Sequence, residues 1–237
     1  MPAAEPLVQL RAVVKDYRSL RPLRVASFDL RDGQSIALLG FDQAAAEVFV
    51  NLVTGALLPD AGEVRVLGCA TAAVTDADTW VAFLDQFGLI SQRAVLLGEL
   101  TVEQNLAMPL TLELDEFAPG VRTHVDAVAA EVGIAPDALK RPLDAVDAAT
   151  ALRVRLGRAL ALGPRVLLSE HPNALLPPAD VPAFAADLAR VIAGRRLPSI
   201  VLTADTTFAA AVADEVLTLQ PATGELRRGR GWRRWFS

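Results

Sequence analysis

The chain has 237 residues, of which 52% are hydrophobic, and it carries a formal net charge of −5 at pH 7. This length can bury the core of an α/β domain with a subdomain, no apolar run approaches the roughly 20 residues of a membrane span, and the acidic balance argues against nucleic-acid binding. The single cysteine, Cys69, excludes an internal disulfide framework, and with only two histidines it also argues against a structural zinc site.

Apolar patterns predict mainly strands in the first part of the chain. The run "SIALLG" is continuously apolar, which is typical of a strand buried on both faces of a sheet. The segment after it has helical spacing and ends at Gly55, a residue type that commonly follows a helix. In chain order the predictions are strands at 7–17, 23–34 and 35–40, a helix at 44–55, a strand at 58–68, a helix at 76–87 and a strand at 88–91.

The remaining residues divide into a helical stretch and a second alternating part. Residues 92–147 contain no long β-type run, and their periodic segments predict short helices broken by prolines. Asp147 then opens a strong helix as its expected N-cap. The later predictions are strands at 165–170, 199–205 and 216–221, with helices at 147–163, 179–195 and 207–215. Strands that alternate with helices predict a mostly parallel, doubly wound sheet with an inserted helical subdomain.

The order of these elements resembles the nucleotide-binding domain of ATP-binding cassette (ABC) transporters over residues 7–226. Three segments carry the resemblance: "LPDAGEVRVLG", "GLISQRAVLLGELTVEQNLAMPL" and "RVRLGRALALGPRVLLSEHP". The resemblance implies an α/β fold with a P-loop NTPase-like core, a mostly parallel sheet, an N-terminal antiparallel β subdomain and an inserted α-helical subdomain. The expected boundaries are 1–91 and 148–226 for the core, 92–147 for the helical subdomain and 227–237 for a basic aromatic tail.

The expected phosphate loop has lost the groups that hold phosphate. A loop of the form G-x-x-x-x-G-K-[ST] uses a glycine for close backbone approach, a lysine for the β- and γ-phosphates and a hydroxyl for magnesium. On this pattern Gly40 matches the first glycine, Ala45 the second, Ala46 the lysine and Glu47 the hydroxyl, with Val48 following. A carboxylate at position 47 suits a helix N-terminus but should repel a triphosphate. ATP and magnesium are the cofactors that the family implies, and these losses argue against their binding.

The other nucleotide motifs are also altered. In "VLLSEHP", Ser169 takes the place of the Walker B aspartate, and Glu170 stands where the family keeps the carboxylate that activates water, which makes it the candidate catalytic residue. Ala204 takes the place of the switch histidine and Leu176 that of the D-loop aspartate. No metal ligand is assigned, and His171 is interpreted as part of the turn after the strand.

Two further positions of the nucleotide site keep their residue types. Tyr17 lies where an aromatic residue stacks on adenine, and Gln92 is the glutamine of the Q-loop. Each has a structural alternative, because Tyr17 also suits a packed strand position and Gln92 a hinge of the helical subdomain. Glu170 likewise lacks the partners that it would need for catalysis.

A partner subunit would not restore the site. Family members form head-to-tail dimers in which each site combines one subunit's phosphate loop with the other's signature. The signature corresponds to residues 146–150, where the serine and both glycines are replaced by Asp147, Ala148 and Ala149. In a heterodimer with another ABC ATPase-like chain, this subunit would therefore damage one nucleotide site through its phosphate loop and the other through its signature. In a homodimer both sites would carry both defects.

The C-terminal residues 227–237 hold five arginines together with Trp232, Trp235 and Phe236. Arginine and tryptophan suit anionic membrane interfaces and binding hot spots, so this tail is interpreted either as a docking segment for a membrane surface or partner, or as a solvated tail.

Three functional hypotheses follow. The first is a transporter-associated pseudo-ATPase on the cytoplasmic, inner face of the cell membrane that couples to an integral membrane subunit. The second is an active ATPase subunit with unusual motifs, and the third is a regulatory or scaffolding module that uses the fold for interaction only.

Overall fold

The computed structural model describes residues 5–229. Its strands are β1 (Val8–Lys15), β2 (Leu23–Leu30), β3 (Ser35–Leu39), β4 (Ala61–Val66), β5 (Cys69–Ala70), β6 (Phe87–Ile90), β7 (Val166–Glu170), β8 (Ser199–Leu202), β9 (Glu215–Gln220) and β10 (Glu225–Arg228). Its α-helices are α1 (Gln43–Val53), α2 (Ala77–Leu84), α3 (Val102–Ala107), α4 (Pro119–Glu131), α5 (Ala148–Leu160), α6 (Val181–Arg195) and α7 (Thr206–Val212). None of the helices in this range is both long enough and apolar enough to cross a membrane.

The strands form two sheets that match the predicted fold class. The smaller sheet has the order β2-β1-β4-β5 and is antiparallel throughout. The larger sheet has the order β10-β9-β3-β8-β7-β6, in which β9 to β6 are parallel and β10 is antiparallel to β9. A mostly parallel core sheet with an N-terminal antiparallel subdomain is therefore confirmed.

Strand β3 lies inside the larger sheet, and both of its faces are covered. All five residues of β3 are buried. Ile36 and Leu38 pack into a cluster with α1 and the antiparallel sheet, whereas Ala37 and Leu39 face the cluster formed with α5, α6 and α7. The continuous apolar run follows directly from this two-sided burial, since a strand covered by helices on both faces has no solvent side.

Residues 92–147 hold α3, α4 and two short 3-10 turns, at 136–138 and 143–145. The β pairing within this stretch is limited to an isolated bridge between Thr101 and Pro142. Thr101 and Gln104 form a reciprocal capping box that starts α3. The helical character was predicted, although the segment "APDALKRPL" folds into 3-10 turns and not into an α-helix.

The C-terminal end differs from the expected boundary at residue 227. Arg227 and Arg228 belong to β10, which the sequence analysis did not predict. β10 pairs with β9, and Arg228 Nε lies 2.5 Å from Glu215 Oε1. The aromatic residues Trp232, Trp235 and Phe236 lie outside the described residues.

Candidate functional site

The turn between β3 and α1 consists of residues 40–42. Gly40 has a φ of +85° and leaves β3, and α1 already begins at Gln43. Asp42 is the N-cap, and its Oδ1 accepts a hydrogen bond of 2.8 Å from the Ala45 N–H. The Ala46 N–H donates to the Asp42 carbonyl oxygen at 2.9 Å. The Asp42 carboxylate therefore caps the N-terminus of α1 from within the chain.

The next residues of α1 face the core more than the solvent. Ala45, Ala46 and Val48 are buried in the cluster that contains α1 and the antiparallel sheet, and Ala46 has no exposed surface. Glu47 is partly exposed at the surface of α1. Of the sequence-predicted positions in this loop, only Glu47 presents a charged group.

Arg93 connects Glu47 with Glu170. Its Nη2 donates to Glu170 Oε1 at 2.5 Å, and its Nη1 lies 3.3 Å from Glu47 Oε1 and 3.2 Å from Asn51 Oδ1. The second Glu170 oxygen, Oε2, accepts a hydrogen bond of 2.7 Å from Ser91 Oγ. The Glu170 side chain is only 1% exposed, whereas that of Arg93 is 43% exposed. One guanidinium thus joins the first turns of α1 to the end of β7. We call these contacts the Arg93 bridge.

Two arginines of α5 donate hydrogen bonds to the same loop. Arg155 Nη1 donates to the carbonyl oxygens of Ser91, at 3.1 Å, and of Ala94. Arg158 Nη1 donates to the Val95 carbonyl oxygen at 2.6 Å. Burial lowers the pKa of both guanidinium groups, and for Arg155 the charge of Arg158 adds to the decrease. Residues 91–95 are therefore attached to α5 as well as to α1 and β7.

The end of β7 contains two buried polar atoms that lack a hydrogen-bond partner among the described residues, Ser169 Oγ and His171 Nε2. His171 follows β7 directly, has a φ of +43° and donates its backbone N–H to the Leu202 carbonyl oxygen. Pro172 then starts a 3-10 turn. His171 lies in the turn after the strand, as expected from the sequence.

The remaining candidate positions lie in different surroundings. Tyr17 follows the end of β1 and packs, partly buried, against the cluster around α1, while Gln92 is exposed in the loop after β6. Ala204 is exposed after β8, and Leu176 is buried. Within residues 5–229, no group of three or more histidine, cysteine, aspartate and glutamate side chains is arranged to hold a metal ion.

The signature segment 146–150 forms the start of α5. Asp147 is its N-cap, as predicted, and Asp147 Oδ1 accepts a hydrogen bond of 2.6 Å from the Thr150 N–H. This backbone hydrogen bond is the main reason that the pKa of Asp147 lies below its ordinary value. The second residue of the segment is thus a capping carboxylate where the family has a serine.

Sequence reasoning missed Arg93, Asn51, Ser91, Arg155 and Arg158. Arg93 directly follows Gln92, and this adjacency to a predicted site residue was the only sequence signal for it. The α5 arginines occur at i and i+3, which places them on one helix face but does not identify their acceptors.

The family model described as ABC transporter matches residues 23–174. The chain is 32% identical over 203 residues to the phosphonates import ATP-binding protein PhnC of Anaeromyxobacter dehalogenans, which covers 83% of this chain and 40% of that protein. It is 28% identical over 214 residues to the methionine import ATP-binding protein MetN 1 of Pseudomonas fluorescens, covering 89% and 63%. It is 33% identical over 220 residues to the molybdenum import ATP-binding protein ModC of Mycobacterium tuberculosis, covering 91% and 58%. The chain therefore spans between 40% and 63% of the length of these relatives.

Solved structures share the fold at low sequence identity. The dimeric bacterial ABC transporter cassette MJ0796 has a TM-score of 0.76 at 19% identity, covering 95% of this chain and 100% of that one. The same cassette bound to ADP and Pi has a TM-score of 0.74, with the same identity and coverage. CbiO1 of Clostridium perfringens, part of the ABC transporter complex cbiONQ, has a TM-score of 0.78 at 17% identity, covering 94% and 88%.

Proposed function

The chain belongs to the ABC transporter family, and from this premise we propose that it is a cassette-like transporter subunit whose own nucleotide site is degenerate. Its relatives are import ATP-binding proteins. In this proposal the chain couples to an integral membrane subunit but has little or no ATP hydrolysis of its own.

The Arg93 bridge is the observation that carries the proposal. In P-loop NTPases, magnesium is held between the hydroxyl of the phosphate loop and the Walker B aspartate. Glu47 takes the hydroxyl position, and the carboxylate that shares a partner with it is that of Glu170. We therefore propose that Glu170 corresponds to the Walker B aspartate, which binds magnesium. The sequence motif had placed Ser169, one residue earlier, at that position. On this assignment Glu170 is not the water-activating residue, and the Arg93 guanidinium lies where the metal ion would bind.

The charges around α1 give separate support. A triphosphate would approach a helix N-terminus that already has the Asp42 carboxylate as its cap and the Glu47 carboxylate in its first turns. Neither position 45 nor position 46 offers a group that attracts phosphate. Removing a single electrostatic contact to a transition state typically costs about 3–4 kcal/mol, so losing several leaves little hydrolysis.

The loop after β6 is the proposed contact for the membrane subunit. Val95 is 67% exposed and Leu97 is 41% exposed. Both lie in the loop after β6, and Val95 belongs to the segment 91–95 that the Arg93 bridge and the α5 arginines hold. Large apolar side chains exposed next to each other are a common feature of binding surfaces. Pairing with a second cassette chain and a position at the inner face of the membrane belong to the same proposal. Membrane docking through Trp232, Trp235 and Phe236 concerns residues outside those described.

Equilibrium titration with ATP, with and without magnesium, tests the proposal on the wild-type chain and on an Ala46→Lys, Glu47→Ser variant. Wild type should give no saturable binding, and the repaired chain should gain ATP binding because it regains the lysine. Magnesium dependence should appear only when Arg93→Met is added to the repaired chain, because Arg93 lies where the metal ion would bind. The matched control is Asp78→Lys, which changes the net charge by the same amount on exposed α2. Saturable magnesium-dependent ATP binding and turnover by wild type would overturn the proposal.

A second candidate is an active ATPase subunit that tolerates these motifs. It is favoured by the names of the relatives, all of which are ATP-binding proteins, and by the neighbouring cassette that was solved with ADP and Pi. The same titration distinguishes the two functions, because an active subunit must bind ATP without repair.

A further inference from the structure

We propose that Arg93 is a tethered cation that acts as an autoinhibitory contact. In this role Arg93 holds α1, β7 and the loop 91–95 in one arrangement when no ligand is bound. Its guanidinium donates hydrogen bonds to the oxygen atoms that a divalent cation would otherwise contact. The inference deepens the proposed function and rests on it for the identity of the site.

The burial of the Glu170 carboxylate calls for a cation beside it. A buried carboxylate is unfavourable unless it is paired and hydrogen-bonded. Ser91 Oγ satisfies one oxygen, and Arg93 is the only cation that pairs with the other among residues 5–229. Arg93 therefore supplies the positive charge that pairs with the buried Glu170 side chain at the end of β7.

The second half of the guanidinium reaches α1. Arg93 Nη1 contacts Glu47 Oε1 and Asn51 Oδ1, which lie one helical turn apart on the same face. These oxygen atoms, with those of Glu170 and Ser91, are of the chemical type that magnesium prefers. The two nitrogen atoms of the planar guanidinium let Arg93 bind α1 and β7 at the same time, which the single ammonium group of a lysine does less well.

The loop that carries Arg93 is also attached to α5. Arg155 and Arg158 bind its carbonyl oxygens at Ser91, Ala94 and Val95. A displacement of the exposed Val95 by a partner would therefore be transmitted to Arg93 and from there to α1. In this arrangement the chain's own cation takes the role that a ligand would have in linking α1 to the loop.

Amide hydrogen exchange tests the inference on the full chain with two substitutions at position 93. Arg93→Met keeps the aliphatic stem and removes the charge, and Arg93→Lys keeps a charge but not the fork. Exchange in residues 43–47 and 91–95 should become about tenfold faster in Arg93→Met, since hydrogen bonds to charged groups are among the stronger ones. Added magnesium should reverse this change in Arg93→Met and should leave wild type unaffected. Arg93→Lys should fall between the two and respond less to magnesium.

The matched control is Arg65→Met, which removes an exposed arginine that pairs with Glu63 on β4. It should leave exchange in both segments as in wild type. Exchange in Arg93→Met within twofold of wild type would overturn the inference, and so would an acceleration that magnesium does not reverse. ATP binding by wild type would instead overturn the proposed function, so the two failures are distinguishable.

Discussion

Arg93 Nη2 lies 2.5 Å from Glu170 Oε1 and ties the loop after β6 to the end of β7. We expect Arg93→Met to lower the free energy of unfolding by about 2 kcal/mol, because Glu170 would be left buried without its counter-ion. The effect should be smaller than the 3–5 kcal/mol of a fully buried pair, since water reaches Arg93 and screens the contact. Urea unfolding of wild type and variant measures it.

Glu170→Gln completes a double-mutant cycle for this pair. The glutamine removes the charge at nearly constant shape, so Arg93→Met should cost much less in the Glu170→Gln background than in wild type. Equal costs in the two backgrounds would mean that Arg93 stabilises the chain by packing and not through Glu170.

A second ion cluster predicts how stability depends on pH. Glu103 on α3 is buried, and its oxygens lie 2.6 Å from Arg122 Nη1 and 2.6 Å from Lys140 Nζ. Burial alone would raise the pKa of Glu103, but the hydrogen bonds from Lys140 and Arg122 together outweigh it, so the pKa lies below its ordinary value. The native state therefore binds this proton less readily than the unfolded chain does.

The resulting stabilisation is fully present above the unfolded pKa, about 4.3, and is lost as the pH falls through the lower folded pKa. Acid unfolding of wild type and Glu103→Gln measures the contribution. The variant should be less stable at neutral pH, and the difference between the two proteins should shrink as the pH falls below about 4. A difference that stays constant across this range would show that protonation of Glu103 does not contribute to the pH dependence of stability.

The sequence predicted the sheet because its signals are local. The continuous apolar run of β3 and the N-cap at Asp147 are properties of a few neighbouring residues, and both are confirmed. The turn before α1 was predicted less well. The helix was expected from residue 44, but it begins at Gln43 because Asp42 caps it. An aspartate two residues after a glycine is also typical of an ordinary loop.

The Arg93 bridge could not be predicted because its partners are distant along the chain. Arg93 is 46 residues from Glu47 and 77 residues from Glu170. Only the parallel order β3-β8-β7-β6 brings the ends of these strands to one edge, and no short-range pattern reports which charges meet there. The sequence motif assigned Ser169 to the Walker B aspartate and Glu170 to the water-activating carboxylate, and the shift of one residue that we propose rests on the contact with Arg93.

The start of α5 offers a test of the altered signature segment. Asp147→Ala should destabilise the chain by about 1 kcal/mol, because the Thr150 N–H loses its acceptor at the helix N-terminus. Asp147→Asn is the matched control, since asparagine caps helices about as well and lacks only the charge. Thermal unfolding of the three proteins separates capping from charge, and an equal loss in both variants would assign the effect to charge.

Substitution of Gly40 tests the geometry of the turn between β3 and α1. It has a φ of +85°, and a Cβ at this position would lie 3.0 Å from the Leu219 carbonyl oxygen. Gly33 has a φ of +69° with nothing within 4 Å of an added Cβ, so it serves as a control for the backbone term alone. A residue forced into a left-handed conformation typically costs about 1–3 kcal/mol. We expect Gly33→Ala near the lower end and Gly40→Ala near the upper end, because only the latter also presses on the β9 backbone. Equal losses for the two variants in urea unfolding would mean that β9 yields to the methyl group and that the turn before α1 does not depend on a close approach to β9.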